Sequence, residues 1–259
     1  MARTDVLLGV VPQRQKPSSQ VADGSVAGMY GRASRYGDLS VQSLVPTKHL
    51  LADEGSYFTA QNPTIGTGVI TAGAITSFTD TNALFVIKNN ASVASGIRFY
   101  LDYLRLIATS ATTAVVSVDF LVKIDTINRF PSTAANGTTM TPVNTNGDDN
   151  TGSTAVIQAF NNAGAMTIAA ASAAARVVGR AHLPTGIIIV GDEYIVQSGA
   201  SERSSMPGLT AVDATQPRRV VGDFAPIIVG PQQFAVIHRW SLTEAAAVGY
   251  EFELGWWER

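Results

Sequence analysis

Two segments near the end of the chain carry the clearest alternation of apolar and polar positions. Within 233–241, Phe234, Val236, His238 and Trp240 fall on one face, and within 248–257, Tyr250, Phe252, Leu254 and Trp256 do the same. A period of two is that of a β-strand, whose successive side chains point to opposite faces. Residues 114–124 repeat it, with Val116, Val118, Phe120, Val122 and Ile124 opposite Ser117, Asp119 and Lys123. Residues 83–88 and the aromatic-rich 97–108 are two further strands. The turn formers Asn89-Asn90 and Ser95-Gly96 separate them, and with 114–124 they predict a three-stranded meander.

Shorter strands are predicted at 155–160, 176–183, 186–190, 194–197, 218–224 and 227–229. Pro207, Pro217, Pro226 and Pro231 all fall between strands, where a missing N–H does no harm. The alanine-dense stretch 163–175 is ambiguous, since alanine favours helix while Gly164, Thr167 and Ile168 oppose it. Many short strands with little helix predict an all-β fold, a jelly-roll-like two-sheet β-sandwich spanning 61–259.

Residues 1–60 break the pattern. Pro12, Pro17 and Pro46 and Gly24, Gly28, Gly31 and Gly37 punctuate a polar run, which predicts an extended N-terminal arm. Up to residue 50 it holds six basic side chains against three acidic ones, a net of +3, so the remainder sums to −5. Such a segment buries too little apolar area to order alone and is expected to dock either on the rest of its own chain or, preferentially, on neighbouring subunits. Residues 131–153 are almost devoid of apolar side chains and rich in turn formers. They predict a long loop of the kind that makes contacts.

Composition narrows the choice of function. Only 15% of residues are charged, against roughly 25% in ordinary soluble domains. A surface filled instead by Ser, Thr, Asn, Gly and Ala costs little to desolvate and suits lasting protein contacts. A net charge of −2 gives no general attraction for nucleic acid or anionic membrane. The clusters Arg32, Arg35 and Tyr36 and Arg218-Arg219 build no basic aromatic groove, so they are expected in subunit contacts rather than on nucleic acid. The chain has no cysteine, and no apolar run approaches the roughly 18 residues that span a bilayer. Residues 1–5 are not a basic segment followed by an apolar core of signal length, since the apolar run Val6 to Val11 is too short for one, which predicts synthesis in the cytoplasm.

Candidate chemistry is sparse. His49, His182 and His238 lie at no metal-ligand spacing, and the alternation of 233–241 places His238 inside the sandwich. No nucleophile elbow, phosphate loop or zinc-binding helix motif is present, so no catalytic residue and no cofactor is expected. Asp192-Glu193 and Glu251 with Glu253 are carboxylate pairs, the latter pair alternating toward solvent. Asp148, Asp149 and Asn150, with Asn144 and Asn146, place oxygen ligands in a manner suited to calcium. The downstream Glu of an EF-hand loop is missing, which favours a solvated turn.

The polar arm, the Ser/Thr/Asn-rich loops and the closing segments PIIVGPQQFAVIHRW (226–240) and YEFELGWWER (250–259) resemble structural proteins of tailed-bacteriophage capsids, in particular jelly-roll decoration, or cement, proteins. The resemblance implies a capsid-surface virion protein, made in the host cytoplasm, that stabilises the shell as a homotrimer bound to the major capsid protein. It implies no membrane, no direct nucleic-acid role and no enzymatic activity. Arg14, Lys16, Arg32, Arg35, Tyr36 and Trp257 are the expected interface residues. The alternatives are another virion component such as a capsid subunit, or a receptor- or glycan-binding fibre head using Tyr57, Phe58, Trp256 and Trp257. The absence of a long spine helix argues against the shell subunit itself.

Overall fold

The computed structural model describes residues 32–33, 39–40, 47–62, 64–72, 83–130, 137–149, 151–160, 175–199, 219–241 and 248–259. The chain divides into two compact units, Met1–Thr47 and Lys48–Arg259. In the first, β1 (Arg32–Ala33) and β2 (Leu39–Ser40) pair antiparallel, Arg32 opposite Ser40. The second is the sandwich. It begins earlier than the alternation suggested, because most of the short helix α1 (Thr47–Asp53) and all of β3 (Tyr57–Gln61) belong to it. The expected arm over 1–60 is therefore too long by about a dozen residues. Five residues of strand after a Gly turn are too few to register as a period-two pattern.

The remaining strands are β4 (Ile70–Ala72), β5 (Phe85–Asn89), β6 (Phe99–Ala108), β7 (Val116–Asp125), β8 (Gly137–Met140), β9 (Val143–Asn144), β10 (Ala155–Phe160), β11 (Ala175–Gly186), β12 (Glu193–Ser198), β13 (Arg219–Phe224), β14 (Ile228–Val229), β15 (Phe234–Ser241) and β16 (Val248–Glu258). A six-stranded sheet runs β11-β7-β15-β5-β10-β8. An eight-stranded sheet runs β13-β12-β6-β16-β3-β9, with β14 on β6 and β4 on β16. The all-β two-sheet sandwich expected from the alternation is what forms, and the two clearest segments, β15 and β16, each lie at the centre of one sheet.

Three local expectations fail. The predicted meander does not form: β5 and β7 lie in the six-stranded sheet and β6 in the eight-stranded one. The connections 90–98 and 109–115 are long enough to cross between layers, and apolar patterning fixes a buried face without fixing which sheet supplies it. The segment 186–190 is not a separate strand, since β11 ends at Gly186 and the chain then turns through Gly191, φ +90°. The expected loop 131–153 contains β8 and β9. They join the outer strands of the two sheets through two residues and so close one side of the sandwich. Short edge strands of Thr and Asn read as loop, because their side chains make little of the core.

The main core lies between the sheets. Phe85, Ile87, Val118, Phe120, Val122, Ala235 and Ile237 meet Leu104, Leu106, Tyr250, Phe252, Leu254 and Trp256, and Phe85 packs edge-on against Phe252 at 5.0 Å. A gap of about 10 Å³ beside Leu104, Val122, Phe224 and Ile237 holds no more than one water. A second cluster covers the far face of the six-stranded sheet, where Val86, Phe130, Phe160, Phe234 and Val236 pack together. His238 is fully buried, but it shares this far face with Phe234 and Val236, so it lies outside the inter-sheet core where the alternation had placed it. A central strand buried on both faces reads as a continuous apolar run, and Phe234–Ile237 is one.

Charge is also buried on that far face. Asp125, at the end of β7, receives the Arg129 guanidinium at 2.5 Å, with side-chain exposures of 2% and 7%. Arg129 stands 5.5 Å over the Phe234 ring. Burial lowers the affinity of Lys88 for its proton, and its ammonium donates to the carbonyl of Phe130 at 3.3 Å.

Candidate functional site

The richest polar constellation among the described residues lies on the outer face of the eight-stranded sheet. Leu101 and Leu104 of β6 both face the core, so the strand must bulge between them. The register against β16 shifts there, between Gly255 and Trp256. Asp102 and Tyr103 consequently both leave the core side. Tyr57 Oη donates to Asp102 Oδ2 at 2.5 Å, and Lys48 Nζ approaches the same oxygen at 2.8 Å. The Tyr103 hydroxyl donates to Glu253. Arg105 donates to Glu193 through Nε and to Glu253 through Nη1 at 3.2 Å, while Arg219 Nε donates to Glu193 at 2.6 Å. Two bonded groups thus lie side by side in one cluster, the first joining α1, β6 and β3 through Lys48, Asp102 and Tyr57, the second joining β6, β16, β12 and β13 through Tyr103, Glu253, Arg105, Glu193 and Arg219.

Gly255 sits within it. A Cβ there would lie 2.4 Å from Tyr103 Cε1 and 2.7 Å from the Tyr57 hydroxyl, so the two phenols occupy the space of a missing side chain. At one end of the same face Trp257 stacks on Tyr100, ring centroids 5.6 Å apart and planes 4° from parallel.

These contacts set the protonation of the cluster. Burial, and then the hydrogen bond to Asp102, push the Tyr57 phenol far above its ordinary range. Tyr103 is raised by burial and by its bond to Glu253. Burial alone would raise the Glu193 carboxyl, but hydrogen bonds from Arg219 and Arg105 outweigh it and hold Glu193 below its usual range. Both phenols stay protonated in the folded chain while an unfolded tyrosine ionises near pH ~10. Their contribution to stability is therefore complete below about pH 10 and is lost as pH rises beyond it, by up to ~1.4 kcal/mol per pH unit for each tyrosine. Urea unfolding at a series of alkaline pH values is expected to show this decline, and replacing both Tyr57 and Tyr103 by Phe is expected to flatten it.

Comparison with protein-family models, with curated proteins and with solved structures finds no match to this chain.

The residues singled out from sequence are scattered. Arg32 lies in β1, whereas Arg14, Lys16, Arg35, Tyr36 and Asn150 fall outside the described residues. Trp257 is half-buried on the outer face of β16, on the side that Tyr57 also occupies. Phe58 and Trp256 face the core instead and stack on each other at 6.0 Å, which removes them from any surface groove. Glu253, expected to point to solvent, is tied to Arg105 and Tyr103.

Three side-chain oxygens of the suspected calcium loop accept from its own backbone. Asn144 Oδ1 accepts from Asn146 N–H, Asn146 Oδ1 from Asp148 N–H, and Asp149 Oδ1 from Thr151 N–H, at 2.8–3.0 Å. The Asn144 amide also donates to the carbonyl of Gly55 at 3.0 Å, which docks this loop on the α1–β3 turn. Gly55 itself, at φ +69°, adopts a conformation suited to glycine, and Asp149 lies against it. Among the described residues no three His, Asp or Glu side chains gather as metal ligands. His182 Nδ1 contacts the buried Asp119 at 3.1 Å, beside the Arg180 guanidinium at 3.3 Å. His49 lies in α1.

Asp102, Tyr103, Arg105 and Gly255 went unnoticed in the sequence. The available signal was the spacing of Leu101, Leu104 and Leu106, three and then two residues apart. A break in alternation of that kind marks a bulge.

Proposed function

We propose that the chain is a structural virion protein that attaches to a bacteriophage capsid shell and stabilises it, acting as a homo-oligomer through its N-terminal segment. The observation that carries this reading is the separation of Met1–Thr47 from the sandwich as a unit of its own. That unit holds five basic and three acidic side chains, a net of +2, which leaves −4 on residues 48–259 to give the total of −2. Opposite charge on segment and sandwich favours contacts between copies or with a neighbouring shell subunit.

Exposed aliphatic side chains support the same reading. Ile65, Val115 and Val190 are exposed in the segments 64–69, 109–115 and 187–192, which hydrogen bonds bring to one end of the sandwich. Ile65 is 94% exposed. Val93, Ile127 and Ile228 are exposed at the opposite end. Many modest contacts repeated around a symmetric shell add up to lasting attachment without any exceptional residue. Among the described residues no helix is long and apolar enough to cross a membrane. The full chain, mixed with shells that lack it, is expected to co-sediment with them to a saturating stoichiometry and to raise the temperature at which they rupture. Failure to co-sediment would remove the proposal.

A further inference from the structure

Charge is segregated across the sandwich. Residues 49–87 and 130–175 supply β3, β4, β8, β9, β10 and most of β5, and they contain no Lys or Arg. Their strands lie to one side of the fold, since β5-β10-β8 ends the six-stranded sheet and β3-β9 ends the eight-stranded one. At a corner of that side four acids gather. The Asn144 and Asn146 amides donate to the carbonyls of Gly55 and Asp53, which brings the α1–β3 turn, with Asp53 and Glu54, against the turn that holds Asp148 and Asp149. Val143, on the edge strand β9 beside them, is 54% exposed.

The opposite end of the six-stranded sheet, at β11, has the other sign. Val177 there is 60% exposed and stands opposite Lys123 of β7. Arg176 beside it is exposed, and the Arg180 side chain is 63% exposed although it reaches the buried Asp119. Arg176, Arg180 and Lys123 against Asp119 leave a surplus of +2, the Asp125–Arg129 pair being neutral. Two register shifts along β11 blunt its edge against addition of a further strand, so this edge offers side chains rather than backbone. The chain thus carries two patches of one plan, an exposed valine beside charges of a single sign, with the signs opposite. Five strand spacings of about 4.8 Å put β11 roughly 24 Å from β8, beyond the screening length of physiological salt, so the patches do not satisfy each other within one copy. We propose that the β11 side docks on the β9 side of a second copy, with Arg176, Arg180 and Lys123 facing Asp53, Glu54, Asp148 and Asp149, and with Val177 and Val143 supplying the apolar part. The contact is heterologous and closes into a ring where the rotation allows. It gives the homo-oligomer proposed above a contact between sandwiches, and it rests on that reading for its partner.

Sedimentation equilibrium of the full chain at about 100 µM, above the Kd of a micromolar contact, is expected to show an oligomer whose Kd rises with salt. Arg176→Glu with Val177→Glu, and separately Glu54→Lys with Asp148→Lys, are each expected to weaken association at least about tenfold. All four positions are exposed. A chain carrying all four changes again pairs opposite signs and is expected to regain the parent affinity within about threefold. Where a reversed variant does not fold, Arg176→Gln or Asp148→Asn takes its place, each expected to weaken association about threefold. A monomeric parent chain would remove both this contact and the homo-oligomer. An oligomer whose affinity is the same in both reversed variants would overturn the contact alone. So would weakening by one reversal only, or by both without recovery in the combined chain.

Discussion

Replacing Trp256 by alanine is expected to lower the stability of the folded chain by about 3–5 kcal/mol, whereas the same change at the adjacent Trp257 is expected to cost only about 1 kcal/mol. Trp256 is fully buried, packed against Phe58 and Phe99 with centroids 6.0 and 6.5 Å away. Its indole Nε1 donates to Glu258 at 3.1 Å. It lies on the central strand of the larger sheet, where neighbours on both sides prevent collapse into the cavity. Trp257, on the outer face, gives up mainly its stack with Tyr100. Urea midpoints of the two variants measure the contrast directly. Equal losses would mean that the two faces of β16 are buried alike.

Asp125→Ala is expected to cost a further class of stability, again about 3–5 kcal/mol, because it removes the carboxylate facing a guanidinium that is only 7% exposed. Asp125 also accepts from the Ile127 N–H at 2.9 Å, and so shapes the segment that brings Phe130 over Phe234, 6.1 Å between centroids. Burying two charges costs desolvation that their attraction only partly offsets. An apolar pair of similar volume is therefore tolerated better than a half-removed ion pair. The double variant Asp125→Leu with Arg129→Met is expected to recover most of the loss. Thermal unfolding of the single and double variants forms the test, and additive losses would contradict this account.

The sandwich was legible where strands are central and long. In β16 the inward set Tyr250, Phe252, Leu254 and Trp256 follows the period-two pattern and packs into the core as the pattern requires. In β15 the same pattern was visible but pointed to the wrong layer. Phe234, Val236 and His238 line the far face of their sheet, while Ala235 and Ile237 meet the main core. Alternation reports two faces and says nothing about which one a second sheet covers. Edge elements were not legible, because β8 and β9 are short, polar and bound mainly by backbone hydrogen bonds.

The outer-face cluster was hidden for a different reason. Tyr57, Glu193 and Glu253 are far in sequence from Asp102 and Arg105 and from one another, and they meet only through pairings such as Glu253 with Arg105 and Arg105 with Ile195. Local pattern cannot show long-range register. The bulge at Asp102 and the glycine at 255 were the only local traces.

The role of the N-terminal unit is the centre of the functional proposal, and shell occupancy is its most direct measure. The full chain and a chain comprising Lys48–Arg259, which retains both sheets and both apolar clusters, are each mixed with shells at equal concentration, and the bound copies are counted after sedimentation. Occupancy is predicted to fall at least about tenfold without residues 1–47 while the shortened chain still unfolds cooperatively, as expected when linked weak contacts are removed. Unchanged occupancy for the shortened chain would contradict the account.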